Sequence, residues 1–69
     1  MMIESYIISE REKEVLKLIA NEYSSKEIAD ELCISIHTAI THSKNIKQKL
    51  EVKNVAGMVR AGFQLGLLR

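Results

Sequence analysis

In the stretch 35–50, side chains that can hydrogen-bond, carry charge or ligate a metal alternate with apolar ones in a helical rhythm. Turned at about 100° per residue with Ala39 at zero, Ser43, Ile46 and Leu50 fall within roughly 40° of it, and His42 lies about 60° away. That side faces a core. His37, Ile40, Thr41, Lys44 and Gln48 fall between about 100° and 200°, on the opposite side. An imidazole, a hydroxyl, an ammonium and an amide in one row offer donors and acceptors at regular intervals. Ile40 among them is out of place in water. A helix presenting such a row can read the edges of base pairs from the major groove of DNA.

Other chemistry fits these residues poorly. Cys33, His37 and His42 are the metal-ligating types nearby. The two histidines point to opposite sides of the helix and Cys33 precedes it, a spacing foreign to zinc sites. Cys33 reads instead as a small core residue, and His42 as a half-buried histidine whose ring bonds a backbone group. Nucleophilic catalysis needs a Ser or Cys with a positioned base in a cleft. A chain of 69 residues rich in helix formers offers little cleft, and it has no Gly-rich phosphate loop. The reading is therefore no enzyme, no metal and no cofactor.

The elements that must position the row are legible on either side of it. Ser35 is a suitable N-cap, since its hydroxyl can accept from an otherwise unpaired backbone N–H. Earlier, Ser24 and Glu27 form a capping box, and Ile28, Ala29 and Leu32 lay one apolar stripe on a short helix. Cys33-Ile34 is too apolar for a solvated loop and is expected to tuck under the structure. Two helices joined by a tight turn, the second with an outward polar face, describe a helix-turn-helix. Ser9 and Glu12 make a second capping box, with acids at 10, 12 and 14 favourably placed near a helix N-terminus. Val15, Leu16, Ile19 and Ala20 supply that helix's buried stripe. It is expected to end near Asn21, which tolerates the left-handed conformation, with Tyr23 packing on the core edge.

After Leu50, Glu51-Val52-Lys53 is a short connector and Asn54 can cap a fourth helix. There Val55, Ala56, Met58, Val59, Ala61, Phe63 and Leu65 spread apolar surface around much of the circumference, and Gly66 suits the position after the helix. One face suffices for the core, so the excess calls for a partner. The wheel separates Met58, Ala61 and Leu65 from Val55, Val59 and Phe63, with Gly62 between them. The second set is the expected face of a two-fold dimer.

Composition agrees with an all-α fold. There is no proline, three glycines and one cysteine, so no internal disulfide can form, which suits a reducing cytoplasm. No segment approaches the roughly 18 apolar residues of a membrane span, and MMIESYII lacks the basic region and apolar core of a signal peptide. The net charge of +1 hides a split. Residues 1–34 carry four basic and eight acidic groups, a net of −4, whereas residues 35–69 carry six basic and one acidic, a net of +5. One positive surface is expected. Lys26, Lys44, Lys47, Lys49 and Lys53 could form a solvated face. Lys26, however, sits in the first turn of its helix, where a cation opposes the dipole. A phosphate bound at that helix N-terminus would relieve the conflict.

These residues carry a family resemblance. Residues 10–20, EREKEVLKLIA, resemble the first helix of the LuxR-type helix-turn-helix domain. Ser24-Ser25-Lys26-Glu27-Ile28-Ala29, Ile34-Ser35, Thr38, His42, Asn45-Ile46 and Lys49-Leu50 resemble its two central helices, and Gly66-Leu67-Leu68 its ending. The resemblance runs over 8–68 and implies an all-α, four-helix, single domain spanning 1–69. It implies sequence-specific binding of double-stranded DNA for transcription regulation, with the helix of 35–50 in the major groove. It places Ile40, Thr41 and Lys44 at bases, and Lys26 with Ser24 or Ser25 at a phosphate; His37, on the same outward face, is a further expected base contact, and Thr38 and Lys47 are further expected phosphate contacts. It implies a homodimer through the fourth helix, where the wheel offers Val55, Val59 and Phe63, and a bacterial cytoplasmic, nucleoid-associated location; RNA polymerase is a further expected partner. This sequence departs from the family's pattern at Glu22, where glycine is usual, and at Ile40, where many members have lysine. The fourth region of sigma factors shares much of the first three helices, but His42, the fourth helix and the Gly-Leu-Leu ending favour the LuxR type. A module that dimerises with another regulator and modulates it is the reading from a different class.

Overall fold

The computed structural model describes residues 8–68. The reading of MMIESYII falls mostly on residues 1–7, outside the described residues. Four helices follow one another: α1 (Glu10–Ala20), α2 (Ser25–Leu32), α3 (Ile36–Leu50) and α4 (Val55–Gln64). Each starts at an expected cap. Ser9 and Ser24 form complete capping boxes with Glu12 and Glu27. Ser35 accepts from the Thr38 N–H at 3.0 Å, and the Asn54 Oδ1 accepts from the Gly57 N–H at 2.9 Å. These bonds satisfy donors that the first helical turn leaves unpaired.

The helices end alike. In each, the N–H of a residue beyond the end donates back to a carbonyl five residues earlier: Tyr23 to Leu18 at 3.0 Å, Ile34 to Ala29 at 3.0 Å, Val52 to Lys47 at 3.0 Å, and Leu67 to Gly62 at 2.8 Å. This closure needs a left-handed residue just before the donor. Glu22 (φ 66), Cys33 (φ 57), Glu51 (φ 57) and Gly66 (φ 77) fill that role. Only the last is a glycine. The expected left-handed residue at the end of α1 is corrected: Asn21 has φ −95, and Glu22 makes the turn.

The α2–α3 turn is corrected too. Cys33 is exposed and is no core residue. Its left-handed backbone turns the side chain outward, while the back-bond from Ile34 folds that residue against the core, where it is half-buried. Only one of the two apolar turn residues is tucked in.

The core is drawn from all four helices: Val15, Leu16 and Ile19 of α1, Ile28 and Ala29 of α2, Ala39, Ile46 and Leu50 of α3, and Met58 of α4, closed by Ile8, Leu67 and Leu68. Leu16, Ile46, Met58 and Val15 are the largest side chains sealed from water. α1 and α3 form the centre; α2 packs on both at one side and α4 packs on both at another. Gly62 makes the α1–α4 approach close, since a Cβ there would lie 2.6 Å from the Leu68 Cδ1 and 3.1 Å from the Leu16 Cδ2. No helix among the described residues is long and apolar enough to cross a membrane.

Candidate nucleic-acid interface

The apolar stripe of α3 fixes which of its faces is free. Ala39 and Ile46 are sealed and Leu50 nearly so, so side chains about 180° away must project outward. His37, Ile40, Thr41, Lys44 and Gln48 are all exposed. Ile36, one turn before Ile40, is exposed as well, and the sequence reading did not single it out. His42 and Ser43 are half-buried at the margins. The expected bond from the His42 ring to backbone is not found among the described residues. A helix of 15 residues is about 22 Å long and, with side chains, about as wide as the major groove. Its outward row can lie along base edges.

Two helix N-termini carry unspent donors: that of α3 at the start of the row, and that of α2 beside Ser43 at the margin of α3. At α2 the capping box occupies two: the Ser24 Oγ accepts from the Glu27 N–H at 3.2 Å, and the Glu27 carboxylate accepts from the Ser24 N–H at 2.8 Å. Hydrogen bonds from the Ser24 amide and hydroxyl hold the Glu27 carboxyl below its usual range. The N–H groups of Ser25 and Lys26, in the first turn, have no intrahelical acceptor, and Lys26 beside them is exposed. At α3 the Ser35 Oγ donates to the Thr38 Oγ1 at 2.9 Å. That leaves the hydroxyl hydrogen of the half-buried Thr38 and the N–H groups of Ile36 and His37 without an intrahelical acceptor. Together these are the donor set of a phosphate site: amides at a helix N-terminus, a hydroxyl and a nearby cation. Lys44 is exposed and Lys47 half-buried on α3. Ser24 is exposed and Ser25 half-buried beside a shallow groove shared with Tyr23, Ser43 and Val55.

Lys49 is withdrawn from the basic face. Its Nζ donates to Glu12 at 2.8 and 3.0 Å, and the Glu12 carboxylate, 4% exposed as a residue, also accepts from the Ser9 N–H at 3.0 Å. One side chain thus caps α1 and anchors the C-terminal end of α3, across 37 residues of sequence. Burial pushes the Glu12 carboxyl up; Lys49 and the Ser9 bonds outweigh it and hold the group below its ordinary value. Sequence reasoning missed this pair. The signal was present: Glu12 stands three, four and seven residues before Val15, Leu16 and Ile19, on the buried stripe.

The expected dimer face divides. Val55 and Phe63 are about half exposed, whereas Val59 is half-buried and packs against the core. α4 turns Met58 and Gly62 inward, which brings Val59 to the edge of the contact. Phe63 borders a groove with Lys17, Ala20, Asn21 and Leu68. No group of three His, Cys, Asp or Glu among the described residues is placed to hold a metal.

A family model described as bacterial regulatory proteins, luxR family, matches residues 6–61. The chain belongs to that family. Membership makes it a DNA-binding, transcription-regulating domain and not an enzyme, and decides for the LuxR type over the sigma-factor region. The solved structure of the transcription factor GerE shares the fold with a TM-score of 0.84 at 34% identity, covering 88% of this chain and 91% of GerE. The response regulator protein VraR of Staphylococcus aureus is 44% identical over 63 residues, which are 91% of this chain and 30% of VraR. The oxygen regulatory protein NreC of Staphylococcus carnosus is 42% identical over 62 residues, 90% of this chain and 29% of NreC. The transcriptional regulatory protein MctR of Rhizobium johnstonii is 41% identical over 61 residues, 88% of this chain and 28% of MctR. The chain spans less than a third of the length of these relatives.

Proposed function

We propose that this LuxR-family domain binds double-stranded DNA sequence-specifically, with α3 in the major groove, and does so as a homodimer paired through α4. The observation that carries the reading is the outward face of α3, where His37, Ile40, Thr41 and Lys44 are exposed together, with the open N-terminus of α3 at its start. Bases would meet those four residues. Phosphates would meet Ser24, Ser25, Lys26, Thr38 and Lys47, which fix register without reading sequence. Exposure of Val55 and Phe63 supports a second copy against α4, and a short helix buries limited area, so the dimer forms fully only on DNA. RNA polymerase remains a proposed further partner.

Salt dependence tests this. If Lys26 and Lys47 each neutralise a phosphate, the log–log slope of affinity against salt is about −2 per domain, at roughly −0.9 per contact. Lys26→Ala should flatten the slope by about one unit and weaken all sequences similarly. A module that only dimerises with another regulator would bind arbitrary duplex weakly, with a slope near zero.

A further inference from the structure

The exposed residues of α3 are Ile36, His37, Ile40, Thr41, Lys44 and Gln48. Four are polar. The two isoleucines, 46% and 50% exposed, stand one helical turn apart and form an apolar ridge at the N-terminal half of the helix. Nothing among the described residues covers that ridge. Ile40 lies inside the row proposed to face bases, and Ile36, about 60° from Ala39 on the wheel, lies at the edge of that row in the first turn of α3, beside the free N–H groups of Ile36 and His37 and N-terminal to Lys44. The occupant that suits it must be apolar, small and set within a polyanion. A pyrimidine C5-methyl group in the major groove meets all three conditions.

We infer that Ile36 and Ile40 together read C5-methyl groups, so that the domain prefers methyl-bearing pyrimidines at two positions of each half-site. The inference rests on the DNA-binding reading above. Residues four apart in a helix are about 6 Å apart along its axis, and stacked bases about 3.4 Å, so the two methyls belong to pyrimidines one or two base steps apart. Thymine carries this methyl, and so does 5-methylcytosine. Neither isoleucine can donate or accept a hydrogen bond, so the ridge distinguishes a methylated from a bare pyrimidine and leaves hydrogen-bond readout to Thr41, His37 and Lys44.

The test alters the DNA before the protein. A duplex selected by the domain from a random 20-base-pair pool is resynthesised with deoxyuridine replacing thymine one position at a time. This removes a methyl and keeps every hydrogen-bonding edge. Two positions should each weaken binding about fourfold, the equivalent of about 0.8 kcal/mol for one buried methyl-sized group. Ile36→Ala should lose discrimination at one of them and Ile40→Ala at the other, with unchanged helical content and salt slope. In a second arm, cytosine and 5-methylcytosine are compared at the same two positions. A methyl-dependent gain extends the site to methylated DNA, and no gain assigns the ridge to thymine. If the duplex binds but deoxyuridine changes nothing at any position, the inference is overturned and the DNA-binding reading stands, the ridge then serving a protein. If no duplex is selected above background, both fall.

Discussion

At the residue scale the conspicuous features are two glutamates in left-handed turns. Glu22 and Glu51 have φ of 66 and 57, a conformation that costs an ordinary residue roughly 1 kcal/mol or more. Each also places an anion at the negative end of a helix dipole, at the close of α1 and α3. Both conflicts are relieved by glycine. Glu22→Gly and Glu51→Gly should each stabilise the domain by about 1 kcal/mol, less the entropy glycine adds to the unfolded chain. Glu22→Gln, which removes the charge and keeps the strain, should give a few tenths at most. Urea unfolding midpoints at constant m-value check this; an equal gain from Gln and Gly would mean charge, not backbone, dominates. Glu12 is a second case. Folding lowers its affinity for a proton, so its contribution is complete above the ordinary value of 4.5 and fades as pH falls through the lower folded value. Glu12→Gln should lower stability at neutral pH by about 1–3 kcal/mol, since it loses a charged bond and leaves Lys49 able to reach water. It should also flatten the loss of stability below that pH. Denaturant titrations from pH 3 to pH 7 read both effects.

At the element scale, α4 carries the next prediction. Val59 packs on the core, so Val59→Asp should melt the domain and says nothing of pairing. Val55 and Phe63 are half exposed. Phe63→Asp should leave the melting temperature within a few degrees and abolish cooperative binding to two half-sites about 10 base pairs apart. Cooperativity that survives both Phe63→Asp and Val55→Asp would place the dimer elsewhere. The elements themselves were legible because their signals are local: four N-caps, the stripe of Val15, Leu16 and Ile19, and the split wheel of α3 each lie within a few residues. What stayed hidden depends on backbone geometry and distance in sequence. Cys33 was expected inside because it is apolar, yet a left-handed backbone sends it out. Lys49 was counted with the solvated lysines because its partner lies on another helix. The faces of α4 could be separated on a wheel, but Val59 sits at the boundary, and only packing decides which side it joins.

At the scale of the whole molecule the charge split becomes a division of labour. Acidic residues concentrate on α1 and α2, and Arg11–Glu14 at 3.4 Å and Lys13–Glu10 at 4.0 Å pair along α1, exposed contacts worth little to stability. The cations of α3 and the Lys26 turn lie on the side proposed to meet DNA. With Lys49 committed to Glu12, the charge proposed to face phosphates rests on Lys26 and Lys47. This one face, and no other, is proposed to meet duplex DNA. Amide proton–nitrogen correlation spectra of the isotopically labelled chain, titrated with a short duplex at moderate salt, test it residue by residue. The largest shifts are expected at Ser25, Lys26, Ile36, His37, Ile40, Thr41 and Lys44, with Glu10, Arg11 and Glu14 on α1 unmoved. Shifts concentrated on α1, or none at DNA concentrations that saturate other domains of this family, would contradict it.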